Sequence, residues 1–169
     1  DRTVGWGEAP LSAQWAWPSK SSFLDRQEAM TALCLELGRQ WSSLQESGHP
    51  IEVGHTFLRD VLPGLLETFN RDREEIMPWL AALVCNSAFD LAFHDAYGRC
   101  HGLPIYDTYG PEHLNRDLSH YLTPGRDTDA TFEGRYPSDF LISSRPEIVP
   151  AWHAIGGNDL LSDDERTGE

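Results

Sequence analysis

The chain is poor in lysine: Lys20 stands alone against twelve arginines. A catalytic pair of lysines therefore cannot be built from these residues. It is also poor in cysteine. Cys34, Cys85 and Cys100 are an odd number with no CxxC spacing, so neither a disulfide framework nor a zinc ribbon is indicated. Cys34 and Cys85 fall in apolar helical patterns, where the thiol behaves as a small buried hydrophobe, and the setting reads as reducing and cytoplasmic. Long apolar runs are missing: the longest, Trp79 to Cys85, is far too short to cross a bilayer. Positive surface is scarce, since the net charge is −14 and the pI about 4.7. That balance repels phosphate backbones and anionic membranes alike, which argues against nucleic-acid and membrane partners. No HExxH, no GxSxG, no phosphate-cradling glycine loop and no complete calcium loop is present. No signal peptide is visible, and both ends read as cuts through a longer chain.

What is there is an ordinary globular composition, 40% hydrophobic and 24% charged over 169 residues. Residues 1–8 read as the end of a strand. "APLSAQWAWPSKSS" (9–22) reads as a loop, unusual in carrying Trp15 and Trp17. Met30, Leu33, Cys34 and Leu37 have helical spacing, and Asp25 can cap a helix running to about Leu44. A second helical stretch covers 55–73, interrupted near Pro63–Gly64, because proline lacks the N–H and crowds the preceding turn. A third spans 78 to about 100, opened by Pro78 and ended by Gly102. "PIYDTYG" is a further helical turn. Leu118, His120 and Leu122 alternate before Pro124–Gly125, which predicts a strand over 117–123. The remainder is polar, with a short helical piece around "PEIVPAW" and an acidic tail that reads as a solvated loop.

The third helix poses the chemical question, because its apolar pattern contains Asp90, His94 and Asp95. Asp90 and His94 are four apart and share a face, as do Asp95 and Arg99 in the favourable acid-first order. A metal would need more ligands from elsewhere. The spacing predicts an Asp95–Arg99 ion pair, with Asp90 and His94 satisfying each other or nearby backbone.

"CNSAFDLAFHDAYGRCHGLPIYDTYG" (85–110) resembles the cap-domain signature of the mandelate racemase/muconate lactonizing enzyme branch of the enolase superfamily. The shared positions are Ser87, Ala88, Asp90, Ala92, Asp95, Gly98–Arg99, Pro104–Ile105 and Gly110. Cys85, Phe89, Phe93 and Thr108–Tyr109 depart from it. "GWGEAP" (5–10) is similar to the strand that precedes the cap helices in that family. The resemblance implies an α+β cap domain, a helical bundle on a small antiparallel sheet, at 1–112. It implies the start of a (β/α)7β barrel, with a polar insertion, at 113–169. It implies a magnesium-dependent enzyme that removes a proton alpha to a carboxylate, as a lyase (sugar-acid dehydratase) or an isomerase (racemase, epimerase or cycloisomerase), working as a homo-oligomer on a small carboxylate substrate. In that family the motif helix is structural. The metal ligands and bases would lie beyond residue 169, so no catalytic or metal residue is assigned here.

The resemblance implies a specificity side in this chain. Trp15 and Trp17 would form an apolar lid over the substrate, or else pack on the helices. Tyr121 and Thr123 would point the same way at the mouth end of the first barrel strand, or serve the turn before Pro124. His153, in "WHAIGGND", could reach the same mouth or be a surface residue. A different class of protein is also compatible with these letters: a non-catalytic acidic helical domain that binds a basic partner.

Overall fold

A computed structural model describes residues 3–126, 128–142 and 147–151. Ser22 opens the first long helix, its side chain accepting the Asp25 amide, so the cap lies three residues ahead of the expected Asp25. That helix, α2 (Phe23–Ser43), follows a one-turn helix, α1 (Ala13–Ala16). Next come α3 (Pro50–Thr56), a π-helical turn (Phe57–Val61) and α4 (Leu62–Asn70). Pro63 does not break the rod. It sits in the first turn of α4, where its missing N–H is tolerated, and the widened turn before it absorbs the mismatch. Asn70 then clamps the following turn by donating to the Met77 carbonyl at 3.0 Å and accepting the Met77 amide at 2.9 Å. Pro78 starts α5 (Trp79–His101). Short 3-10 turns follow at Ile105–Thr108, Leu118–His120 and Pro137–Phe140.

The core forms where α2 crosses α5. Met30, Leu33 and Leu37 from α2 meet Ala81, Ala82 and Cys85 from α5, and small residues on one side allow long ones on the other to interdigitate. Phe57 closes the core from the π-turn and stacks on Trp41, with ring centroids 4.3 Å apart. The Trp41 indole N–H donates to the buried Asn86 amide oxygen at 2.8 Å, so no polar atom of that pair is stranded.

Gly102 ends α5 in the left-handed region, φ 67°. Its amide donates to Arg99 and the Leu103 amide to Gly98, the paired bonds of a Schellman cap. A Cβ at Gly102 meets nothing within 4 Å, so only the backbone conformation opposes a side chain there. Gly102→Ala is expected to cost about 1 kcal/mol, read by chemical denaturation.

The α+β cap and barrel start expected from the resemblance are not what these residues form. Among the described residues there is no strand, no sheet and no barrel. Residues 3–8, expected as a strand, run without regular structure along α5. At 117–123 the alternating pattern loses to local hydrogen bonding. The Asp117 carboxylate accepts from the Ser119 amide and hydroxyl and from the Gly134 amide, which tightens the backbone into a 3-10 turn. Residues 9–22, expected as a loop, contain α1. The expected helical piece near "PEIVPAW" lies partly outside the described residues, and 147–151 are not helical. No described helix is long and apolar enough to cross a membrane.

Candidate functional site

The three polar residues of α5 line an open cleft of about 570 Å³ between residues 6–8, α5 and the Ile105–Thr108 turn. Two glycines seat the segment whose residues 6–8 form the cleft's first wall. A Cβ at Gly5 would overlap the Ala92 carbonyl oxygen and the Ala96 amide, and one at Gly7 the Ala88 carbonyl and the Ala92 amide. The segment can therefore lie on α5 only because both side chains are absent. Asp95 fixes its height: the carboxylate accepts the Trp6 amide at 2.8 Å and the Arg99 Nε at 2.8 Å. The Trp6 amide first, and then Arg99, hold the Asp95 carboxyl below the usual carboxylate range. The ion pair that the i, i+4 spacing predicts is present and half exposed.

Asp90 and His94 also satisfy local needs. The His94 Nδ1–H donates to the Asp90 carbonyl at 2.9 Å, and the Asp90 carboxylate lies 3.6 Å from the same nitrogen. Burial raises the Asp90 carboxyl, opposed by His94. Its Oδ1 stands 2.7 Å from where a Cβ would project at Gly54, so α3 comes this close to α5 because residue 54 is glycine. Tyr109 lines the same cleft and is pushed up to about 12, by burial first and then by Tyr106 and Asp90. The charges here join α5 to itself and to the backbone at Trp6. Among the described residues no group of three or more His, Cys, Asp or Glu could hold a metal ion. The resemblance places its magnesium on ligands beyond residue 169, and none of these side chains is assigned to it.

Behind the cleft lies a seam of histidine and tyrosine rings that sequence reasoning missed. His49 is 1% exposed and Thr108 is fully buried. The His49 Nδ1 accepts the Ile51 amide at 3.2 Å, which leaves Nε2–H to donate to Thr108 Oγ1 at 3.0 Å; Thr108 donates onward to the Ile105 carbonyl. Around it pack Tyr97 at 4.9 Å, Tyr109 at 5.6 Å and His94 at 6.5 Å. His101 and His113 extend the seam, 5.3 Å apart. The residues come from four separate stretches of chain, and no spacing rule links them. The only hint available was the number of histidines, seven.

The residues singled out from the sequence are dispersed. Trp17 is 4% exposed and belongs to the core with Ala13 and Ala16, whereas Trp15, two positions away, is 57% exposed. Tyr121 packs its ring on His55 at 5.0 Å, and its buried hydroxyl finds no partner among the described residues. Thr123 is exposed, and without the expected strand it shares no strand face with Tyr121. His153 lies outside the described residues. Leu114 is buried, and Asn115 donates its amide and side-chain N–H groups to Glu52 at 2.8 and 2.9 Å, so the chain beyond 112 is tied back to α3.

Comparison with known proteins finds no matching family, no matching curated protein and no matching solved structure.

Proposed function

We propose that this chain is the substrate-selecting side of an enolase-type enzyme that abstracts a proton alpha to the carboxylate of a small acid. The outcome would be dehydration, as for a sugar acid, or racemisation, epimerisation or cycloisomerisation. One juxtaposition supports the reading. The two stretches that carry the resemblance, with Trp6 and Asp95 89 positions apart, seat on each other through the residues that define them. Gly5 and Gly7 permit the contact, and Asp95 holds the Trp6 amide. In this reading Asp90 and Asp95 are positioning residues. Proton transfer and the divalent ion belong to residues beyond 169, in a homo-oligomer in the reducing cytoplasm. Trp17 anchors residues 9–22, and Trp15 projects outward, where an indole over a bound acid excludes water.

The test is isotope exchange by the full gene product in D2O with magnesium. Deuterium is expected at the alpha carbon of at least one acid among sugar acids, 2-hydroxy acids and N-acyl amino acids, and a chelator is expected to abolish it. Trp15→Ala is expected to shift relative kcat/KM between two exchanging acids by about tenfold, since pocket contacts act on specificity. Exchange with none of these acids rejects the reading.

The all-helical character of the described residues favours one other reading, an acidic helical domain that binds a basic partner. Residues 1–169 expressed alone separate the two. A cooperatively unfolding monomer supports the helical domain, and a non-cooperative or aggregating chain supports the enzyme segment.

A further inference from the structure

The crossing of α2 and α5 brings together more than apolar side chains. Cys34 from α2 and Cys85 from α5, 51 positions apart, are seated against each other's helix. The Cys34 thiol donates to the Cys85 carbonyl at 3.9 Å, and the Cys85 thiol donates to the Met30 carbonyl at 3.5 Å. Met30 lies one turn before Cys34, and its carbonyl is the one to which an α-helix directs the Cys34 amide. Each sulfur therefore faces the turn that carries the other.

The two thiols are not equivalent. Cys34 is half-buried, whereas Cys85 is fully buried. The Cys85 thiol beside it holds Cys34 below the ordinary thiol range, against the opposing effect of burial. The same contact, followed by burial and the charge of Cys34, pushes Cys85 well above that range. Thiolate character and access together decide which cysteine meets an oxidant first, and a neighbouring thiol decides what becomes of the product. On both counts Cys34 is the attacking sulfur and Cys85 the resolving one. Cys100, exposed near the end of α5, offers a comparison within the same chain.

We propose that Cys34 and Cys85 form a reversible redox pair, oxidised by a hydroperoxide to a disulfide that ties α2 to α5. The Cys34 thiolate attacks one peroxide oxygen; the O–O bond breaks, and the departing oxyanion takes up a proton. Cys34 is left as a sulfenic acid. The Cys85 sulfur then gives up its proton and attacks the Cys34 sulfur. The S–S bond forms, the S–O bond breaks, and the hydroxide released leaves as water with the Cys85 proton. Two electrons have passed from the sulfurs to the peroxide, and a dithiol reductant returns them by exchange. The pair is separate from the α5 cleft and does not depend on the function proposed above.

The test uses the full gene product, first reduced and then treated with hydrogen peroxide under native conditions, with peptide mapping by mass spectrometry. A peptide pair joined through Cys34 and Cys85, lighter by two hydrogens, is expected, and a dithiol is expected to separate it. Cys85→Ala is expected to abolish the linkage and to raise dimedone labelling of Cys34 several-fold, since the sulfenic acid then has no partner. Should that variant not fold, Cys34→Ser is expected to leave Cys85 reduced at a peroxide dose that links the parent. Cys100→Ser is expected to leave the linkage unchanged. The inference is overturned if the pair forms only after denaturation, if Cys34 is oxidised without joining Cys85, or if Cys100 is oxidised while Cys34 and Cys85 both stay reduced.

Discussion

Gly7→Ala is expected to destabilise the protein by about 3 kcal/mol, and Gly5→Ala by a similar amount. The added Cβ at either position would occupy the space of α5 backbone atoms, which a rotamer change cannot vacate. Two costs combine. Overpacking against a backbone that cannot yield costs about 1–3 kcal/mol. Lifting the segment also breaks the Trp6–Asp95 bond, a charge-assisted contact worth about 1.5–3 kcal/mol. Only part of the second is lost if the segment lifts locally, so the total falls near the stated figure. Gly64→Ala is the control, because a Cβ there meets nothing within 4 Å on an exposed helical turn. It is expected to be neutral or stabilising by up to about 1 kcal/mol. Denaturant titration of the three variants checks the ordering, and a Gly7→Ala protein as stable as Gly64→Ala would show that residues 3–8 do not rest on α5.

The second large effect is one of pH. Burial first, then the charge of His94, lowers His49 to about 4 from an ordinary 6.5, with Glu52 pulling the other way and His113 and His101 adding to the lowering. The folded protein thus keeps His49 neutral where the unfolded chain already protonates it. The stability contributed is complete above pH 6.5 and is lost as pH falls from there towards 4, below which both states carry the proton. The difference of about two and a half units corresponds to about 3 kcal/mol. The geometry gives the same direction. A protonated ring would turn its Nδ1 from an acceptor of the Ile51 amide into a donor facing it. His49→Gln removes this titration. Parent and variant are therefore expected to differ by about 3 kcal/mol in the stability they lose between pH 7 and pH 4. Parallel stability curves for the two would mean that His49 titrates as it does in the unfolded chain.

Much of the helical order was open to reading from local chemistry. Pro78 and Gly102 bracket α5 because one presets the backbone of a first turn and the other accepts a left-handed terminus. The Asp95–Arg99 pair followed from spacing alone. The strand over 117–123 failed because alternation describes side chains, whereas a strand also needs a neighbouring backbone to bond to. Asp117 offered the local amides a closer acceptor. Trp15 and Trp17 looked equivalent on paper, and a one-turn helix separated them, turning one into the core and the other into solvent.

The candidate sites divide in the same way. Asp90, His94 and Asp95 could be singled out from a single stretch, because one helix face is a property of spacing. The His49 seam could not be, because it gathers residues from stretches whose approach depends on how helices cross. The amino-acid order by itself determined where α5 starts and stops and which of its charges pair. Only the tertiary structure decided which indole is buried and which histidine is denied a proton, since burial and partnership are set by what the rest of the chain brings alongside.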